Sequence, residues 1–263
     1  MIGAIRRRVL DVYAVLALLY LFLPIAIVIA FSFNNPRGRF NYTWQGFTFG
    51  NWLHPFAYPG IGGALRVSIE IALLSSLVAT VLGTLIALAL VRYKFRGSSG
   101  MNLLIFVPMA TPEIVMGASL LTLFLNWRIP QGFGTILIAH IMFNISYVVV
   151  TVRARLVGFD RHLEEASMDL GANEVVTFFR VTLPLIMPGI LAAGLLAFAL
   201  SIDDFVITYF NAGTVTTFPL FVWGAARVAV PPQINVIGTG IFVVAVGGML
   251  ANVLWQNRRA RRA

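Results

Sequence analysis

The apolar positions of the chain form long continuous runs instead of alternating with polar positions. A bilayer core of roughly 30 Å needs about 20 helical residues, and six runs approach that length. The pattern therefore predicts an all-α polytopic membrane protein with six spanning helices in a single transmembrane domain over residues 1–263. We place the spans at about 12–33, 64–91, 101–125, 132–152, 189–210 and 236–255, and expect Pro108 and Pro112 to break the third.

Composition agrees with this class of protein. Hydrophobic residues make up 59% of the chain and charged residues 11%, whereas a soluble domain carries about 25% charged residues. The net charge of +9 is therefore not read as nucleic-acid binding, because excess Arg in a membrane protein marks its cytoplasmic loops. The chain has no cysteine, which excludes disulfides, thiolate zinc sites and cysteine nucleophiles. The basic start and the long apolar run behind it are interpreted as an uncleaved first span.

The distribution of Arg and Lys predicts the orientation. Arg and Lys residues on one side of the predicted membrane cluster at 6–8, 92–96, 153–180 and 258–262. The opposite side carries only Arg37, Arg39, Arg66, Arg128 and Arg227. Because cytoplasmic loops carry the excess of positive charge, both termini are expected in the cytoplasm. The long polar segment 153–188 between the fourth and fifth spans is then cytoplasmic as well.

That polar segment has the pattern of two short helices. Asp160 is a suitable N-cap, and acidic residues in the first turns suit the helix dipole. Gly171 can end the first helix in the left-handed conformation, and Asn173 can cap a second one that Leu183-Pro184 ends. Leu163, Ala166 and Leu170 share one face of the first helix. Such an element either docks into a groove of a soluble partner or lies on the lipid surface.

A motif in the segment resembles a known family. Glu165-Ala166-Ser167, then Gly171, then Val181-x-Leu183-Pro184 is similar to the Glu-Ala-Ala loop of inner-membrane permease subunits of binding-protein-dependent ABC importers. This chain has Ser in place of the last Ala and Val in place of the usual Ile. The resemblance implies the type I ABC importer permease fold, with a coupling helix between helices 4 and 5 that docks on an ATP-binding subunit. The implied docking residues are Glu164, Glu165, Ala166, Ser167, Gly171, Ala172, Leu183 and Pro184.

The same resemblance implies partners. The only lysine, Lys94, is not in a Gly-Lys-Ser/Thr context, so the chain has no P-loop. We therefore expect a non-catalytic subunit without a cofactor of its own, with ATP and Mg on a partner ATPase. The expected assembly is a bacterial inner-membrane complex with two permease subunits, two ATP-binding subunits and an extracytoplasmic solute-binding protein. We expect the permease pair to be a heterodimer, with a homodimer as the alternative.

Asp203 and Asp204 are the first candidates for the substrate path, because ionisable residues within spans are costly. Either they line a path for a cationic solute, or one caps a helix break or pairs with Arg66 or Arg227. The segment from Ser201 to Ile207, followed by Tyr209-Phe210, resembles spermidine/putrescine importer permeases, which implies a polyamine. The alternatives are an ABC permease for another small solute, such as a metal ion, an opine or an amino-acid-like compound, or an ion-coupled secondary transporter.

Other polar and aromatic residues in the spans have weaker assignments. Tyr209 and Trp223 could contact a cation face-on, and Glu113 either lines the path, or caps or pairs locally. Glu70 is four residues from Arg66 and is expected to pair with it. His140 and Asn144 are four residues apart on one helical face and are expected to be interhelical hydrogen-bonding residues, not metal ligands.

Overall fold

A computed structural model describes residues 2–93 and 96–260, with side chains described for 10–93 and 96–248. Lys94 and the arginine side chains at 6–8 and 258–262, on which the predicted orientation partly rests, lie outside those residues. The described residues are helical, apart from loops and isolated β-bridges. The helices are, in chain order, α1 (Ile2–Ser32), α2 (Gly50–Leu53), α3 (Ile61–Arg92), α4 (Ser98–Ala110), α5 (Glu113–Asn126), α6 (Phe133–Val157), α7 (His162–Asp169), α8 (Glu174–Thr177), α9 (Leu183–Ile202), α10 (Val206–Asn211), α11 (Phe218–Val228) and α12 (Pro232–Ala260).

Each predicted span falls on one or two of these helices, but the number of spanning helices is a separate question. Four described helical stretches are long and apolar enough to cross a membrane, namely Leu10–Ser32, Ile61–Arg92, Phe133–Val157 and Glu174–Ile202. The pair α4 and α5 makes a fifth if it is taken as one broken span. The predicted sixth span falls on α12, whose side chains are described only to residue 248. The number six therefore stays a prediction.

The third predicted span is broken at one proline only. Its two halves, α4 and α5, are bent by 107° at Thr111 and Pro112. Thr111 is extended, with φ −80° and ψ 131°, because the ring of a following proline disfavours the helical conformation. Pro108 lies inside α4, so the prediction that it also breaks the span was wrong.

The fifth predicted span begins earlier and ends sooner than expected. Helix runs without interruption from Glu174 to Ile202, through a π-helical turn at Phe178–Thr182. Leu183-Pro184 therefore does not end the preceding helix, and Pro188 lies inside α9. Pro184 has no amide hydrogen and would clash with an α-helical carbonyl four residues earlier. The wider π turn directly before it changes that register.

Residues 63–221 form one compact unit. Its main core joins α3, α6 and α9 through small and β-branched side chains, including Ala79, Val148, Val152 and Ala193. The helices approach closely: a Cβ on Gly83 would lie 2.6 Å from Val148 Cγ1. A second core cluster, with Leu120, Phe124, Ala139, Phe143 and Ile207, packs α5, α6 and α10 together.

Residues 1–62 and 222–263 form the other unit. In it α1 packs against α12; most side chains of the span Leu10–Ser32 are exposed, whereas Ser32 at its end is buried. The loop after α1 is held by Asn34, whose amide donates to Asn41 Oδ1 (2.6 Å) and the Thr43 carbonyl (2.8 Å). Phe33 stacks on Phe47 with ring centroids 5.5 Å apart. Aromatic side chains thus collect at the end of α1, as is typical of a membrane–water interface.

Candidate functional site

The two adjacent aspartates between α9 and α10 have different environments. The Asp204 side chain is only 6% exposed. Its Oδ2 accepts hydrogen bonds from the backbone N–H and the hydroxyl of Thr208, both at 2.8 Å. Its Oδ1 is 3.4 Å from the N–H of Ile207. These contacts satisfy amides that the first turn of α10 leaves unpaired, so Asp204 caps that helix, as one of the two alternatives predicted.

His140 of α6 connects this cap to the neighbouring helices. Its Nε2 is 2.9 Å from Thr208 Oγ1 and 3.2 Å from Asp204 Oδ2. Its Nδ1 is 2.7 Å from Ser201 Oγ, and Ser201 Oγ lies 3.0 Å from Ser75 Oγ of α3. All four partners are buried, so the network ties α3, α6, α9 and α10 together at the break. The prediction that His140 hydrogen-bonds between helices is confirmed.

The prediction was wrong for Asn144. Its side chain is fully buried, but neither amide atom has a hydrogen-bond partner among the described residues. Val148, one turn further along α6, packs against Gly83 of α3. Asn144 therefore faces the same helix contact that apolar and small residues occupy. Its amide does not take part in the network around His140.

Asp203, in contrast, is exposed. Its carboxylate makes no hydrogen bond or ion pair to another side chain within the described part of the chain. The cations proposed as its partners are engaged elsewhere. Arg66 Nε is 2.7 Å from Glu70 Oε1, which confirms the predicted pair on α3. The Arg227 guanidinium lies 4.9 Å from the ring centroid of Trp223.

Glu113 lies at a second helix break. It is the first residue of α5, directly after Pro112, and it is exposed. No ion pair or side-chain hydrogen bond to it occurs in residues 10–93 and 96–248. It therefore makes no local pair, and its position in the first turn favours a carboxylate through the helix dipole.

The helices that follow the two breaks, α5 and α10, pack on each other. A Cβ on Gly117 would lie 2.8 Å from Phe210 Cδ2 and 3.4 Å from Ile207 Cα. Glu113 precedes Gly117 by four residues, and Asp203 precedes Ile207 by four. Glu113 is thus about one helical turn, or 5.4 Å of rise, from this contact, whereas Asp203 lies before the non-helical residues that lead into α10. An exposed carboxylate therefore begins α5, and another shortly precedes α10.

The two aromatic candidates, Tyr209 and Trp223, have different neighbours. Tyr209 is exposed, and its ring contacts Phe205 at 5.6 Å and Phe210 at 5.8 Å. Trp223 on α11 already carries the guanidinium of Arg227, four residues later on the same helix, over its ring. A cation of the chain itself therefore lies over one face of the Trp223 ring, which was predicted to contact a substrate cation.

The polar segment forms the predicted helix, glycine turn and helix. Gly171 has φ +89°, the left-handed conformation that favours glycine. Asn173 Oδ1 accepts the N–H of Val176 at 2.8 Å, which confirms it as the cap of α8. Ser167 Oγ and Thr177 Oγ1, 3.1 Å apart, join the two helices.

The start of α7 differs from the prediction by one residue. The helix begins at His162 with Arg161 in the cap position, whereas Asp160 was expected there. Asp160 Oδ1 instead accepts the backbone N–H of His162 at 3.0 Å and contacts its Nδ1 at 2.7 Å. These hydrogen bonds lower the pKa of Asp160 and raise the pKa of His162.

The residues implied as docking contacts fall on two sides of the segment. Glu165, Ala166 and Gly171 are exposed, and Leu170 beside them is 90% exposed. Ser167, Ala172 and Leu183 are partly buried, and Pro184 is exposed at the start of α9. Glu164 points inward, where its carboxylate is bound by Arg92 and Thr182. Neither of these partners was identified from the sequence, because both are far from Glu164 along the chain.

Comparisons with known proteins agree with this architecture. Residues 79–262 match the family described as "Binding-protein-dependent transport system inner membrane component". The chain is 39% identical over 236 residues to the spermidine/putrescine transport system permease protein PotC of Escherichia coli K12, covering 89% of each chain. It is 36% identical over 255 residues to the putrescine transport system permease protein PotI of the same strain, covering 93% of this chain and 88% of that one.

The fold is also similar to that of a solved transporter. The crystal structure of a bacterial ABC transporter involved in the import of the acidic polysaccharide alginate superposes with a TM-score of 0.67. Sequence identity there is 16%, and 95% of both chains is covered. At this identity the likeness concerns the fold alone. The family match at 79–262 includes the polar segment and both helix breaks.

Proposed function

Because the chain belongs to the family of binding-protein-dependent transport system inner membrane components, we propose that it forms part of the translocation path for a polyamine. Two relatives with 36–39% identity are permeases named for spermidine and putrescine. The observation that carries the proposal is the exposed carboxylate of Asp203 at the break between α9 and α10, which has no side-chain partner in the described residues. Asp203 would contact the solute, whereas Asp204 would hold the shape of the break.

The chemistry of the two breaks suits a polycation. An unpaired carboxylate in a membrane-spanning region is costly unless it faces water or a partner. Polyamines are small flexible chains with several ammonium groups, and an exposed carboxylate such as Asp203 or Glu113 can bind one of them. Tyr209, exposed one turn after Phe205, offers an aromatic face to the same kind of cation.

The energy for transport would come from partner subunits. The sequence has no P-loop, so ATP and Mg would be bound by separate ATP-binding subunits, two per complex. The exposed side of the polar segment, with Glu165, Ala166 and Leu170, would dock on them. Closing and opening of the ATPase pair would then rock the spans between inward- and outward-facing states.

The remaining parts of the assembly follow from the family and from the charge pattern. The family description names a binding protein, which would deliver the solute on the extracytoplasmic side. We propose a second, related permease subunit as the partner in the membrane. Both termini and the polar segment would be cytoplasmic, because Arg and Lys concentrate on that side.

The test is uptake of labelled spermidine into liposomes that contain the complete complex. Asp203→Asn and Glu113→Gln should each lower uptake about tenfold or more, with ATP-binding subunits still co-purifying. Arg66→Gln with Glu70→Gln, an exposed pair on α3, is the control and should leave uptake unchanged. Unchanged spermidine uptake in the Asp203→Asn, Glu113→Gln double variant would refute the proposed path. If these variants lose uptake of an amino acid or a metal ion but keep uptake of spermidine, the path belongs to another solute.

A further inference from the structure

The end of α3 is bound to α7 by a cluster of three side chains, Arg92, Glu164 and Thr182, which we term the clamp. Arg92 is the last residue of α3, and its Nη2 donates to Glu164 Oε1 and lies 3.4 Å from Thr182 Oγ1. Thr182 ends the π-helical turn, and its hydroxyl also donates to Glu164 Oε1. One carboxylate oxygen thus joins α3, α7 and the start of α9.

The clamp is shielded from solvent. The side chains of Arg92 and Glu164 are 30% and 17% exposed, and Thr182 is fully buried. Charge-assisted hydrogen bonds gain strength where water is largely excluded. The charges also suit the helix dipoles, since Arg92 is at the C-terminus of α3 and Glu164 in the first turn of α7. This pair is therefore stronger than an exposed ion pair such as Arg66 and Glu70, whose side chains are 80% and 42% exposed.

A second contact connects the same two helices. Arg161 Nη2 donates to the backbone carbonyl of Val91 at 3.1 Å, which satisfies one of the carbonyls that a helix C-terminus leaves unpaired. Residues 161 and 164 are one helical turn apart, so α7 contacts the end of α3 along a single face. On α7, Ala166 and Asp169 are rotated by about 200° and 140° from Glu164, and both are exposed. The clamp and the exposed side are on opposite faces.

Without the clamp, α7 would be held to α3, among the described residues, only by the contact of Arg161 with the Val91 carbonyl. Towards α9 it acts through a backbone that passes through the π-helical turn Phe178–Thr182, where the hydrogen-bond pattern departs from that of a regular α-helix. With the clamp, α7 is also fixed to α3, a continuous helix from Ile61 to Arg92. From Arg92 to Ser75, which bonds Ser201 beside the acidic break, α3 measures about 26 Å.

We propose that the clamp is a positioning element that makes α3 move together with α7, and so delivers ATPase-driven motion to the helix break at Asp203. The proposal rests on the function proposed above. Arg92, Glu164 and Thr182 contact neither solute nor nucleotide in this scheme. Their role is to determine how much transport accompanies each ATP hydrolysed.

The test measures ATP hydrolysis and spermidine uptake in the same liposomes containing the complete complex. Arg92→Gln and Glu164→Gln should leave ATP-binding subunits co-purifying and ATP hydrolysis within about twofold, while uptake per ATP falls about five- to tenfold. The reversed pair Arg92→Glu with Glu164→Arg should restore much of the ratio. Thr182→Val, which replaces the hydroxyl by a methyl group of similar size, should lower it less. Arg66→Gln with Glu70→Gln is the matched control and should not change it.

Two outcomes would overturn the inference. An unchanged uptake-to-ATP ratio in both single variants would show that α3 need not move with α7. Loss of ATP-binding subunits from Glu164→Gln, without rescue by the reversed pair, would place Glu164 in the docking surface instead. Asp203→Asn separates this inference from the proposed function, because it tests the path alone: it should lower uptake while Arg92, Glu164 and Thr182 stay in place. If Asp203→Asn has no effect but the clamp variants uncouple transport, only the assignment of the path fails.

Discussion

Asp203 and Asp204 are adjacent in sequence, but we expect substitution of Asp204 mainly to lower stability and substitution of Asp203 mainly to lower transport. In Asp204→Ala, α10 loses its cap, which costs about 1 kcal/mol. The buried hydroxyl of Thr208 loses its acceptor and the buried ring of His140 loses a neighbour. An unsatisfied buried polar group costs about 1–3 kcal/mol. The sum is about 3 kcal/mol, at the lower end of the range for removing one partner of a buried pair.

Asp203→Ala removes an exposed side chain with no side-chain partner in the described residues. Substitutions of that kind change stability by about 0.5 kcal/mol or less. At about 2–4 °C per kcal/mol for a chain of this size, Asp204→Ala should lower the apparent melting temperature in detergent by about 6–12 °C. Asp203→Ala should lower it by no more than about 2 °C, although it should reduce polyamine uptake more strongly.

The assay is thermal unfolding of the purified chain in one detergent, followed by tryptophan fluorescence, with hydrogen exchange across 205–211 as a local readout. Asp204→Asn is the intermediate variant, because its amide oxygen can still accept the Thr208 N–H, and it should lose about 1 kcal/mol. Equal melting temperatures for the two alanine variants would refute the division of roles. Faster exchange in 205–211 for Asp203→Ala than for Asp204→Ala would refute it as well.

Three further predictions concern other parts of the chain. Gly171→Ala should cost about 1–2 kcal/mol at a left-handed position and should weaken co-purification of the ATP-binding subunits, whereas Glu165→Ala should weaken co-purification without lowering the melting temperature. The imidazole of His162 should titrate above its ordinary pKa of about 6.5 in an NMR pH series, and Asp160→Asn should lower that midpoint. The raised pKa of His162 means that its contact with Asp160 is fully present below about pH 6.5 and is lost as pH rises through the higher folded-state value, so an unshifted midpoint would contradict the contact. Asn144→Leu should leave the melting temperature unchanged or raise it, since a buried amide without partners is replaced by an apolar group of similar size; a fall of several degrees would mean that the amide is bonded after all.

Local signals predicted much of the polar segment. Gly171 and Asn173 determine backbone conformation and capping within a few residues, so their roles could be inferred from neighbouring positions alone. The start of α7 was misplaced by one residue because Asp160 can cap from either of two adjacent positions with the same side-chain oxygen. The prediction that Leu183-Pro184 ends a helix was wrong for a different reason. A π turn before a proline has no clear sequence signature, so a helix stop and a continued helix look alike.

Side chains at the helix breaks illustrate the other limit. The sequence identified Asp203, Asp204, His140 and Glu113 as unusual polar residues in apolar runs. It could not separate the two aspartates, because they differ only in which way each points at the end of α9. That direction depends on Thr208 and His140, which approach from another turn and another helix.

By itself, the amino-acid sequence determined that this is a helical membrane protein, where its main apolar helices run and where a polar segment with a family-specific spacing interrupts them. Hydropathy, proline, glycine and capping act over a few residues, so they can be read along the chain. Only the tertiary structure decided that Asp204 is bound and Asp203 is exposed, that Glu113 is exposed at the start of α5, and that Glu164 is turned towards Arg92. These properties depend on atoms brought together from up to about 90 positions apart, between Arg92 and Thr182, and packing alone establishes such contacts.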